Sequence, residues 1–116
     1  MHEASIASSL LEIAAEHCAK NNYNIINSLT VRVGKLGGVM PDALAFAFDA
    51  LKEGTRAAGA QLIIKEIEGN CGCNDCKGSF TFNSQYILSC PMCGSGNFVI
   101  TGGRELELIE MEVDNK

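Results

Sequence analysis

The sequence predicts an α+β fold: two helices packed on a three-stranded mixed β-sheet, with a zinc-ribbon-like module inserted before the last strand. Three observations carry this expectation. Helical apolar stripes alternate with strand patterns in the order α-β-α-β over the first 68 residues. From Gly69 to Gly103 that periodicity disappears, and glycine, serine, asparagine and cysteine dominate. A strand pattern then resumes at Arg104. Two helices on one face of a three-stranded sheet bury both stripes.

The first helix is expected from about residue 4 to residue 20. Ile6, Leu10, Ile13 and His17 recur at steps of four, three and four, with Leu11, Ala14 and Cys18 beside them. Asn21, Asn22 and Asn24 supply the turn chemistry that ends it. Ser28 to Lys35 alternates Leu29, Val31 and Val33 against Thr30, Arg32 and Gly34, which reads as a strand with one buried face. Gly37 and Gly38 make the turn. Pro41-Asp42 starts a second helix, with the acid at the positive dipole end, and Leu44, Phe48 and Leu51 form its stripe before Gly54. Gln61 to Glu68 (QLIIKEIE) is a second strand. In the final RELELIEMEV, Leu106 and Leu108 share one phase while Ile109, Met111 and Val113 take the other, which predicts a bulge near Leu108-Ile109. The predicted division is therefore an α/β domain of 1–69 plus 103–116, interrupted by a cysteine module of 70–102.

Bulk properties exclude several function classes. The chain has 116 residues, of which 47% are hydrophobic and 20% charged, with a formal charge of −5. That size supports one real core. Its acidity is a poor match to nucleic acid, because phosphate-binding surfaces concentrate lysine and arginine. No apolar run reaches the roughly 18 residues needed to span a membrane. The basic-then-apolar order of a signal peptide is missing, since Ser8, Ser9 and Glu12 break Ile6 to Ile13. A cytoplasmic protein is expected, and there six cysteines point to a metal site before they point to disulfides.

CNDC at Cys73 to Cys76 and CPMC at Cys90 to Cys93 are separated by thirteen residues. Two residues between paired thiolates let both sulfurs reach one ion from a tight turn, and Gly78 and Gly94 suit such knuckles. Two knuckles make a closed tetrahedral site with four sulfurs, which zinc prefers and which a rubredoxin-like iron site shares. The spacer allows a short hairpin, with SFTF and YIL as its strands. A closed site leaves no position for Lewis-acid chemistry, so the expected work of the metal is folding, in an insert with too few apolar residues for its own core. Cys71 is either a spare ligand or a bystander thiol, and Cys18 a small core residue. Asp75 and Lys77 are the only charged residues between Gly69 and Gly103, too few for a basic groove.

The start, MHEASI, offers a second metal site. The terminal amine of Met1, the next peptide nitrogen and the His2 imidazole can close adjacent chelate rings, which leaves the fourth ligand unassigned. Deprotonated peptide nitrogens select Ni(II) or Cu(II) in planar nitrogen geometry. The first N–H groups of a helix lack intrahelical acceptors, so losing those protons breaks no helix bond. The residues alone leave two readings of His2, a metal ligand or a solvated terminal histidine.

Taken together, MHE, SIASSLL, VRVGKLGGVMPDALAFAFDAL, the CNDC and CPMC pair and the ending GRELELIEMEV resemble the HypA/HybF hydrogenase nickel-incorporation family. The resemblance covers essentially the whole chain in order. It implies a nickel metallochaperone, not an enzyme, that binds Ni(II) through His2 with the Met1 amine and the backbone nitrogens of His2 and Glu3. It implies structural Zn(II) at Cys73, Cys76, Cys90 and Cys93. The implied partners are the GTPase HypB and the large subunit of NiFe-hydrogenase, with urease maturation served in some organisms and homodimerisation open. The family's pattern has four cysteines, and Cys71 stands outside it. The alternatives are a thiol redox enzyme using the cysteines and a zinc-ribbon module that recruits partners without carrying nickel. His17 is expected to pack or cap at the helix edge, and Glu105, Glu107, Glu110 and Glu112 to form the solvated side of the last strand.

Overall fold

The computed structural model describes residues 3–82 and 88–115. Among these are two helices and six strands: α1 (Glu3–Asn21), β1 (Ile25–Gly34), α2 (Pro41–Leu51), β2 (Gln61–Ile67), β3 (Gly69–Cys73), β4 (Ser79–Phe82), β5 (Phe98–Gly102) and β6 (Leu106–Asp114). The chain divides into two compact units. One comprises the residues up to Val31, Val39–Lys65 and those from Glu107 on; the other comprises Arg32–Gly38 and Glu66–Leu106.

In the first unit α1 packs on α2. Ile6, Leu10, Ala14 and Cys18 bury the face of α1, with Ala7 beside them. The predicted stripe is therefore rotated: Ile13 is 53% exposed and His17 lies at the surface. Steps of four residues keep the buried row on one side, and the two alanines let a neighbouring backbone approach closely. Glu3 in the first turn and Lys20 in the last complement the helix dipole. The helix stops in a Schellman arrangement, with Asn22 left-handed at φ 61° and the Tyr23 N–H donating to the Cys18 carbonyl at 3.0 Å.

Pro41 opens α2 and Asp42 sits in its first turn, while Leu44 and Phe48 are its buried residues. Phe48 is fully buried and Phe46 is 78% exposed. After α2 the Lys52 ammonium donates to the Ala60 carbonyl at 2.9 Å and pairs with Asp49 at 3.1 Å. This tightens the turn that delivers the chain to β2.

The larger sheet has the order β2-β1-β6. It is mixed. The Lys35 N–H donates to Ile67 where β1 and β2 both end, so these strands run parallel. Asn24 donates to Asp114 and Gly34 to Glu105, so β6 runs against β1. The central position of β1 changes one expectation: Ser28 and Thr30 are buried as well as Leu29, Val31 and Val33. The face of β1 that carries Ser28 and Thr30 is thus covered as well as the apolar one, and their short hydroxyl side chains are accommodated there. Along β6 the half-buried residues shift phase between Leu108 and Met111, leaving Ile109 and Glu110 both exposed.

The second unit holds an antiparallel sheet of order β4-β3-β5. β3 carries a register shift against β5 between Asn70 and Cys71. The insert has a core of its own, contrary to expectation. Cys71, Cys73, Phe80 and Cys90 are buried together, with Phe82, Phe98 and Ile100 packed against them. The Phe80 ring meets Phe82 and Phe98 edge-on, with centroids at 5.0 and 5.9 Å. Pairing of three short strands gathers aromatic residues that are scattered in sequence, so the apolar content of any single stretch understates the core. The SFTF segment is β4, as expected. Tyr86 and Ile87, read as part of a partner strand, lie outside the described residues.

Candidate metal centre

The two CxxC stretches fold into matching knuckles. The Cys73 N–H donates to the Gly78 carbonyl at 2.9 Å, and the Lys77 N–H returns to the Cys73 carbonyl at 3.1 Å. In the second knuckle Cys90 donates to Ser95 at 2.8 Å, and Gly94 returns to Cys90 at 2.8 Å. The residue after each second cysteine is left-handed, Lys77 at φ 63° and Gly94 at φ 77°. Glycine thus meets the conformational demand in one knuckle, and lysine accepts it in the other. Gly78 serves differently: a side chain there would strike the Met92 methyl.

Cys73, Cys76, Cys90 and Cys93 come together, with all four sulfurs within 4.8 Å of one another. Sγ of Cys73 lies 3.6 Å from that of Cys93, and Sγ of Cys76 lies 3.8 Å from that of Cys90. A tetrahedral ion with zinc–sulfur bonds of about 2.3 Å requires sulfur separations of about 3.8 Å. Both of these separations match that requirement, and all four thiols are gathered closely enough to close on one ion. Cys73 and Cys90 are buried, while Cys76 and Cys93 face solvent.

Local electrostatics agree with a cation-binding cluster. The Cys76 backbone N–H points at the Cys73 sulfur at 3.5 Å and leads the effects that lower that thiol to about 7. The Ser95 amide also favours ionised Cys93, but the three neighbouring thiols and burial outweigh it and push Cys93 up to about 12. The Gly78 amide favours ionised Cys76, and Cys73, burial and Cys90 together leave that thiol raised. Four negative sulfurs cannot gather unaided, and a divalent cation relieves their repulsion. A zinc ion held by Cys73, Cys76, Cys90 and Cys93 would supply a structural cross-link with no open coordination position.

Cys71 stands apart from this cluster. It is buried in the second unit's core, opposite Phe80 on β4 and Ile100 on β5. Burial raises its thiol, with Arg104 opposing. A shielded neutral thiol behaves as a small apolar residue.

Of the predicted nickel ligands, Met1 and His2 lie outside the described residues. Glu3 is the first described residue of α1, and its carboxylate accepts a hydrogen bond from the Met40 N–H at 3.1 Å. His17 lines a shallow cleft of about 280 Å³ with Ile13, Leu108, Ile109, Glu110 and Met111. Sequence reasoning missed the polar residues that bridge the knuckles. Asp75 accepts from Ser95 Oγ and from Asn97 Nδ2, and Asn74 Nδ2 donates to Asn97 Oδ1 at 2.9 Å. Their only signal was position, in and directly after the CxxC turns.

The chain matches, over residues 1–113, the family described as hydrogenase/urease nickel incorporation, metallochaperone, HypA. It is 40% identical over 112 residues to the hydrogenase maturation factor HypA of Chloroflexus aurantiacus, covering 97% of this chain and 98% of that protein. It is 40% identical over 113 residues to the HypA of a Picosynechococcus species, covering 97% and 99%. The solution structure of the nickel metallochaperone HypA from Helicobacter pylori aligns over the whole of both chains with a TM-score of 0.69 at 30% identity. No described helix is long and apolar enough to cross a membrane. With four thiols spaced for zinc and a match over nearly its full length, the chain belongs to the HypA family of hydrogenase and urease nickel-incorporation metallochaperones.

Proposed function

We propose that this protein carries Ni(II) at its amino terminus and hands it on for maturation of NiFe-hydrogenase, with zinc held permanently by the four thiols. One observation carries the reading. The Cys73, Cys76, Cys90 and Cys93 group is the one cluster of three or more metal-ligating side chains among the described residues, and it is closed. A closed site suits a resident ion and not cargo, so the cargo ligands belong elsewhere in the chain. The amine of Met1, the imidazole of His2 and the backbone nitrogens of His2 and Glu3 meet that need. A set with one side-chain ligand releases its ion readily, as delivery requires. In this reading residues 1–69 with 103–116 handle nickel, and residues 70–102 hold zinc.

The chemistry is ligand exchange, and the protein is not an enzyme. Its partners are a HypB-type GTPase and the hydrogenase large subunit in the cytoplasm. Protonation of His2 competes with nickel, so affinity falls as pH drops below about 6.5. Nickel and zinc content per chain, measured for the wild type and for His2→Ala, tests the reading. Loss of nickel with zinc retained supports it. Full nickel binding and hydrogenase maturation by His2→Ala would sink it in favour of a zinc-ribbon recruiter. One residue added before Met1 moves the amine and is expected to impair nickel binding as well.

A further inference from the structure

Sulfurs meet across the two knuckles, Cys73 with Cys93 at 3.6 Å and Cys76 with Cys90 at 3.8 Å. An ion bound there bridges the two knuckles, so drawing them apart favours its release. A second set of bonds resists the same movement. From the first knuckle, Asp75 accepts the Ser95 hydroxyl at Oδ2 and Asn97 Nδ2 at Oδ1, the latter at 3.5 Å. Asn74 Nδ2 donates to Asn97 Oδ1 at 2.9 Å, and the Asn74 N–H donates to the Asn97 carbonyl at 2.9 Å. Within the second knuckle the Asn97 N–H donates to Ser95 Oγ at 3.0 Å. The Ser95 carbonyl accepts the Cys90 N–H that closes that knuckle. Asp75 thus grips the residue on which the second knuckle closes, although it is no ligand itself.

We infer that Asp75 is a positioning residue of the metal centre, which through Ser95 and Asn97 clasps the two knuckles and sets how fast zinc is lost. The inference rests on the four thiols being a zinc site. Cys76 and Cys93 are exposed, so an attacking chelator meets them first. Once one of these thiolates detaches, the clasp holds it beside the ion, and recapture competes with escape. Hydrogen bonds to a carboxylate are stronger than neutral ones, which makes Asp75 and Ser95 the dominant pair. Without them, the exposed thiolates swing away and the ion leaves sooner.

The test is the rate of zinc transfer from the full chain to excess EDTA, after zinc content has been measured. Asp75→Ala and Ser95→Ala are each expected to start with full zinc and lose it about tenfold faster than the wild type. The double variant is expected to match the faster single variant, because both remove one contact. Ser95→Thr keeps the hydroxyl and is expected to restore the wild-type rate. Single-variant rates within about twofold of wild type, or effects that multiply in the double variant, overturn the clasp. Should Asp75→Ala fail to fold, Ser95→Ala and Ser95→Thr decide alone, and equal rates for these two overturn it. A wild type that takes up no zinc removes the zinc reading itself, and the clasp with it. Metal content separates that failure from a failure of the clasp.

Discussion

The Glu3 carboxylate, on the first turn of α1, accepts the backbone N–H of Met40, the residue that caps α2. Met40 has no side-chain oxygen to cap its own helix, so an acid from another helix takes the part that a capping-box glutamate normally plays. Glu3→Ala is expected to lower unfolding free energy by about 1 kcal/mol in urea denaturation. Glu3→Gln keeps an acceptor oxygen and is expected to lose little. The proposed nickel ligand at this position is a backbone nitrogen, so Glu3→Gln should also retain nickel in equilibrium dialysis.

Phe46 and Phe48 sit two positions apart on α2 and differ entirely in burial, at 78% and 0% exposed. Phe48→Ala is expected to cost about 3–5 kcal/mol by opening a cavity in the first unit. Phe46→Ala is expected to change stability by less than about 0.5 kcal/mol. Thermal unfolding of the two variants checks the orientation of α2, and equal losses would show that it is wrong.

Gly34 and Gly103 meet backbone to backbone in the second unit. A Cβ on Gly34 would fall on the Gly103 carbonyl, and one on Gly103, at φ 110°, would fall on the Gly69 Cα. No flexible side chain can yield at either place, so Gly34→Ala and Gly103→Ala are each expected to cost on the order of 3 kcal/mol or more. Gly59→Ala is the control. Nothing lies within 4 Å of its added Cβ, and a neutral or slightly stabilising effect is expected.

Cys71→Ala is expected to keep one metal ion per chain, because Cys71 is a core residue outside the four-sulfur cluster. Cys76→Ser removes a ligand and is expected to abolish tight zinc binding. Metal analysis of the two purified proteins gives the answer. A Cys71 variant that loses its metal would make that thiol a ligand.

Zinc uptake should become more pH-dependent as pH falls through about 7. Cys73, lowered to about 7 chiefly by the Cys76 amide, is a thiolate above that pH, and only below it does metal binding displace a proton from Cys73 into solvent. Cys93, pushed up to about 12 despite the Ser95 amide, surrenders its proton at every working pH. Proton release on binding is thus expected to rise by about one per site from pH 8 to pH 6. Titration calorimetry in buffers of different ionisation enthalpy measures it, and unchanged release would count against the assigned order.

Much of this protein was legible in residue order because the information was local. The helical period of α1, Pro41 at the start of α2, the phase slip in β6 and the two CxxC turns each depend on residues within a few positions of one another. The four thiols needed only a two-residue gap, repeated. Other features depend on partners distant in the chain. GNCGC shows no apolar alternation, and it becomes β3 because SFTF and FVITG pair with it on either side. That pairing also builds the aromatic core of the second unit, which no single segment displays. Ile13 fits the helical period as well as Ala14 does, and only tertiary packing decided which of them was buried. Asp75, Ser95 and Asn97 read as loop polarity until the knuckles meet. Periodicity is written in neighbouring residues, whereas burial, pairing and hydrogen-bond closure are settled by whichever surfaces the folded chain brings into contact.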